Sequence, residues 1–214
     1  MTILVVADHD RGVLDPTSLQ ALTAARALDP QVDVLVVGDG GRDVVGELAA
    51  HGAATVHVAT GVADYAPQAA ARAAVELVSR LSPTAVLATG TPRGNEVLAH
   101  VSAILDVPFA AECVEVSLAA PDHQVVRNRW GGSILETAVV HSDLLVASYA
   151  AHAVKAEPAD GAGTPSGPVP STSALRASSA TRSSRTFSSR GAGRSPATTS
   201  TGFLRALMRP GTDG

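Results

Sequence analysis

The stretch ILVVADHDRGVLDPTSLQALTAARALDPQVDVLVV, residues 3–37, decides the fold. It opens on ILVVA (Ile3–Ala7), a continuous apolar run rich in β-branched residues, and closes on a second apolar run, VDVLVVG (Val32–Gly38). Runs apolar on both faces suit strands of a parallel sheet covered on both sides, since a strand with one wet face would alternate. Between them, DPTSLQALTAARALD offers Asp15 as a cap and Pro16 in the first turn, and Leu19, Leu22 and Ala25 then recur at helical spacing. Strand, helix and strand at this length make a right-handed crossover unit.

The same rhythm continues outward. ATVHVA (Ala54–Ala59) and TAVLATG (Thr84–Gly90) read as further buried strands. GRDVVGELAAHG stops at Gly52, APQAAARAAVELVSRLSP stops at Ser82-Pro83, and GNEVLAHVSAILDVP places Val97, Val101, Ile104 and Leu105 on one helical face before Pro108. After Pro108 the pattern changes. Glu112–Ala119, His123–Trp130, Ser133–Val140 and Leu144–Ala150 are strand-like and joined by segments too short for helices. The expected fold is α/β: a mainly parallel sheet flanked by helices, with antiparallel β-hairpins added over 112–150.

Composition divides the 214 residues near Lys155. Residues 1–155 carry a net charge of −8, and residues 156–214 carry +4. The second part holds eleven Ser, eight Thr, eight Gly and six Pro among its 59 residues. So little apolar surface cannot offset the entropy of ordering the chain. One folded domain over 1–153 and a disordered Ser/Thr/Gly/Pro/Arg-rich tail over 154–214 are expected. Cys113 is the only cysteine, which excludes a disulfide framework. MTILVVADHD has no basic n-region, and no stretch approaches the roughly 18 apolar residues of a membrane span, so a cytoplasmic location is expected.

Ligands of open α/β sheets bind past the carboxyl ends of the strands. Of the strand-to-helix junctions, TGTPRGNE is the most ligand-like: Thr89, Gly90, Thr91, Gly94 and Asn95 combine hydroxyls, glycines and a helix start that favours anions. The alternative is an ordinary turn with Asn95 near a cap. The Gly-Lys-Ser/Thr of a phosphate loop is absent, and GDGG (Gly38–Gly41) does not match the dinucleotide fingerprint. His9 stands between Asp8 and Asp10 without a second His or Cys at metal-ligand spacing, so no metal site is expected. No nucleophile elbow or acid/base pair stands out, so the chain is not read as an enzyme. RNRWGG supplies Arg127, Arg129 and the only tryptophan, Trp130, as a candidate partner interface; a hairpin with solvated arginines is the plainer alternative. The tail has seven Arg but only two aromatics and no regular repeat, which argues against nucleic acid as a partner.

Residues 3–37 resemble the opening of the electron-transfer flavoprotein alpha subunit family. ATGTPRGNEVLAHVSAILDVPFAAECVEV (Ala88–Val116) is similar to the family's strand, Thr/Gly loop, helix and A-x-L-D-V-P segment, and RNRWGGSILET (Arg127–Thr137) to its Arg, aromatic-Gly pair and strand. The resemblance runs in collinear order over about residues 1–152. It implies an adenine-nucleotide α-hydrolase-like domain serving as scaffold and interface, a beta-type partner subunit, and electron transfer from dehydrogenases through FAD. It also implies that FAD sits in a separate C-terminal domain, so none is expected on this chain alone. No residue here matches the family's FAD contacts. The runner-up is a stand-alone nucleotide-binding α/β protein using the 89–95 loop. Across Phe187–Leu204, a shifted frame with G or C at third codon positions spells an apolar strand followed by Gly-Arg-Gly. That resembles how the family's FAD domain begins, so the tail is expected to be this domain out of frame and the chain a truncated alpha-type subunit.

Overall fold

In a computed structural model, which describes residues 2–159 and the backbone of 164–165, Ile3, Val5 and Ala7 face one side of a sheet while Leu4 and Val6 face the other. This strand, β1 (Ile3–Ala7), is buried at every position. The chain then forms β2 (His9–Asp10) and β3 (Val13–Leu14), a miniature hairpin turned by Arg11 and Gly12, both at positive φ. Helix α1 (Pro16–Leu28) follows, with the Asp15 carboxylate accepting from Thr17 N–H. Next come β4 (Val32–Val37), α2 (Val45–Ala50), β5 (Thr55–Ala59), α3 (Pro67–Leu81), β6 (Ala85–Thr89) and α4 (Pro92–Leu105). The last part holds β7 (Phe109–Ser117), β8 (Asp122–Arg129), β9 (Ile134–His141), β10 (Leu145–Tyr149) and β11 (Thr164–Pro165).

The sheet order is β11-β5-β4-β1-β6-β10-β7-β8-β9. Pairing is parallel from β11 to β7 and antiparallel from β7 through β9. The α/β expectation holds: α1 and α2 cover one face, and α3 and α4 cover the other. Two details differ. Leu145–Tyr149 does not extend the hairpins; it returns between β6 and β7 as a parallel strand. Its five residues are all buried, and the centre of the sheet is where such a run sheds most apolar surface. Helix α2 is also shorter than the segment that suggested it, because residues 41–44 form turns ahead of it.

The chain stays attached beyond residue 153. Val154 and Ala156 pack on the α1 side of the core, and the Glu157 carbonyl accepts from Arg26 Nη2 at 2.7 Å. Contacts with the domain continue as far as Ala159, whose N–H donates to the Ala50 carbonyl at 3.3 Å. The expected tail from residue 160 onward, with its frame-shifted reading, lies outside the described residues apart from the 164–165 pairing.

Candidate functional site

The strand order reverses between β1 and β6, and a cleft of about 660 Å³ opens at their carboxyl end. Its floor is apolar, from Val6, Ala70 and Val97, and its rim is charged. Arg93, in the first turn of α4, lies 3.5 Å from Asp8 and stacks over the Tyr65 ring at 4.7 Å. The Tyr65 hydroxyl donates to Glu96 Oε2 at 3.0 Å. Burial raises the Asp8 pKa, partly offset by the Arg93 guanidinium. Burial and then Glu96 push Tyr65 up to about 12.

His9 is held rather than free. Its Nδ1 accepts from Gly12 N–H at 3.3 Å, which leaves Nε2 to donate to the Val37 carbonyl at 3.1 Å. This packs the β2–β3 hairpin against the GDGG turn. A Cβ on Gly40 would overlap the Gly12 backbone, and one on Gly38 would meet the His9 ring at 3.2 Å. These glycines admit a neighbouring loop, which explains them without a phosphate.

The 89–95 loop is likewise engaged internally. Thr89 Oγ1 donates to the Thr17 carbonyl at 2.8 Å, tying β6 to α1. Thr91 caps α4 by accepting from Gly94 N–H at 3.0 Å. A Cβ on Gly94 would overlap the Thr89 carbonyl, and one on Gly90 would meet the Glu112 carboxylate at 2.5 Å. The Asn95 amide bonds Glu112 on one side and Ser148 on the other. Gly94 lines the cleft, and Thr91 lines a second depression beside it; Thr89, Gly90 and Asn95 line neither.

The residues present do not fit the diphosphate of a flavin dinucleotide. Four carboxylates, from Asp8, Asp10, Asp39 and Asp64, surround the cleft against two guanidinium groups, and both of those already face aspartates. Pro92 has no N–H, and the Gly94 N–H is taken by Thr91, so the start of α4 offers an anion little. Among the described residues, no helix is long and apolar enough to cross a membrane.

A different surface stands out at the far end of the sheet. Four of the seven exposed large apolar side chains among the described residues lie on β9 or its turn: Trp130, Ile134, Leu135 and Val139. Trp130 is 83% exposed and, with Gly131 and Gly132, turns the chain at positive φ. Arg127 and Glu136 are directly opposed across β8 and β9 and bond at 2.6 Å; Arg129 reaches the same carboxylate at 3.5 Å. Arg127 is therefore largely covered and staples the hairpin, while Trp130 and half-exposed Arg129 remain open. Sequence reasoning placed Trp130 but missed the outward Leu135 and Val139, whose alternation with Glu136 and Ala138 along β9 was the available signal.

Comparison with known proteins agrees with this architecture. Residues 3–174 match the family described as the electron transfer flavoprotein domain. An electron transfer flavoprotein subunit alpha from Mycobacterium tuberculosis is 32% identical over 164 residues, 75% of this chain and 51% of that protein. The subunit alpha from Pseudomonas aeruginosa is 38% identical over 127 residues, covering 57% and 39%. The one from Bradyrhizobium diazoefficiens is 38% identical over 139 residues, covering 64% and 43%. The chain thus spans about half the length of the Mycobacterium protein. It belongs to the electron transfer flavoprotein domain family and is of the alpha-subunit type.

Proposed function

We propose that this chain is the scaffold and partner-binding part of an alpha-type electron transfer flavoprotein subunit. Its partner is a beta-type subunit, and the assembled protein passes electrons from dehydrogenases through FAD. The chain performs no catalysis of its own. The observation that carries the reading is the exposed apolar side of the β8–β9 hairpin, with Trp130, Leu135 and Val139 outward, while the other exposed large apolar side chains among the described residues outside this hairpin, Val13, Tyr65 and Ile104, are scattered over separate segments. Exposed aromatic and aliphatic side chains gathered on one element are what a partner covers. Arg129 adds a charged rim beside Trp130.

FAD is assigned to groups other than the described residues, since the strand-end cleft is acidic and its donors are engaged. Purification tests this: the chain should be colourless, and stoichiometric flavin absorbance on the chain alone would contradict the reading. The nucleotide-binding alternative through Thr89, Gly90, Thr91, Gly94 and Asn95 has less support, because the polar side chains of that loop are spent on Thr17, Gly94, Glu112 and Ser148. Titration with AMP or ATP tests it, and tight binding lost on changing Asn95 would restore it.

A further inference from the structure

Strand β7 changes partners along its length. Phe109, Ala110 and Cys113 pair in parallel with β10, and from Cys113 onward the strand pairs antiparallel with β8. The register slips on both sides of this change. Glu112 sits at the pivot with φ +60, a conformation that an L residue adopts only when its surroundings hold it there. The rest of β7 and the apolar β8–β9 hairpin paired to it take their direction from this point.

What holds Glu112 is a closed ring of three hydrogen bonds. The Glu112 N–H donates to Ser148 Oγ at 3.0 Å, and Ser148 Oγ donates to Asn95 Oδ1 at 2.7 Å. Asn95 Nδ2 then donates back to Glu112 Oε1 at 2.8 Å. Ser148 is fully buried, so each of its bonds is sheltered from water. The ring joins three separate elements: the first turn of α4, the central strand β10 and the bulge of β7. Gly90 completes the fit, as any Cβ there would push the Glu112 carboxylate out.

We propose that Asn95, Glu112 and Ser148 are positioning residues that fix the direction of the β8–β9 hairpin for its partner. The proposal rests on the reading of that hairpin as the partner-binding surface. It gives the 89–95 loop a task that needs no ligand: the side chain best placed to look like a ligand contact, Asn95, is the hinge pin of the interface.

Amide hydrogen exchange on the full chain, without partner, tests the ring directly. Asn95→Ala should speed exchange across 122–129 and 134–141 by about tenfold or more, the scale of losing hydrogen bonds to a charged group. Amides of β1, β4 and β6 should keep their rates. Glu112→Gln, which keeps the acceptor, should hold the hairpin near its original rates. Glu112→Gly, which keeps the backbone conformation without strain but removes the carboxylate, should loosen it as Asn95→Ala does, and it carries the test if Asn95→Ala does not fold. Unchanged hairpin exchange in both loosening variants, or an increase shared equally by β1, β4 and β6, overturns the proposal. A second arm measures affinity for the beta-type subunit. Asn95→Ala should weaken it by about tenfold, following the loosened hairpin. A loosened hairpin with unchanged affinity in both Asn95→Ala and Trp130→Ala would instead overturn the reading of the hairpin as the interface.

Discussion

Asp33 on β4 and His57 on β5 face each other beneath α3, with His57 Nε2 3.0 Å from Asp33 Oδ2 and both side chains less than a tenth exposed. They stand among the apolar residues of the two strands and are satisfied mainly by one another. Replacing His57 with Leu leaves the Asp33 carboxylate buried with only a long contact to Gln31, at 3.4 Å. The expected loss is about 3 kcal/mol in urea unfolding. Replacing both residues with Leu should recover most of it, because a buried polar pair is worth little relative to apolar side chains of similar size.

Gly94 permits the first turn of α4 to lie directly on the end of β6. A methyl group there would overlap the Thr89 carbonyl, and neither backbone is free to retreat while Thr89 is tied to Thr17. Gly94→Ala should lower stability by about 1–3 kcal/mol despite the better helix propensity of Ala. A shift of the urea midpoint to lower concentration with unchanged slope is the signature.

Burial pushes the Cys113 thiol from an ordinary value near 9 up to about 12, and burial raises the Tyr149 hydroxyl as well. Between pH 9 and about 12 the native state therefore binds more protons at Cys113 than the unfolded chain does. Stability should fall as pH rises through that window. Cys113→Ala should flatten the fall without abolishing it, since Tyr149 still contributes. In the native state at pH 8 the thiol should resist alkylation and react only after unfolding.

Most of the backbone was legible in the sequence, while the side-chain partnerships were not. Apolar runs gave β1, β4, β5 and β6 to within a residue, and Asp15-Pro16 marked a helix start that the cap confirms, whereas α4 starts at Pro92 with Thr91 as its cap rather than near Asn95. The placement of β10 was not legible. A short connection from His141 to Leu145 suggests a hairpin, yet burial of all five strand residues sends them to the sheet centre. Nor could local pattern show that Thr89 would be claimed by Thr17, or Asn95 by Glu112 and Ser148, because those partners lie 17 to 72 residues away. A loop rich in Thr, Gly and Asn looks the same whether its groups await a ligand or brace the fold.

Trp130 offers the most direct test, since it is the only tryptophan in the chain and, among the described residues, the most exposed of the large apolar side chains. Its removal should leave stability within about 0.5 kcal/mol, because it covers nothing in the isolated domain. The measurement is titration of the chain with the beta-type subunit from the same organism, read by calorimetry or by Trp130 fluorescence. A one-to-one complex, weakened by about tenfold or more in Trp130→Ala, is the predicted result. Absence of a complex, or equal affinity for the original chain and Trp130→Ala, would contradict the assignment of this hairpin as the surface that joins the two subunits.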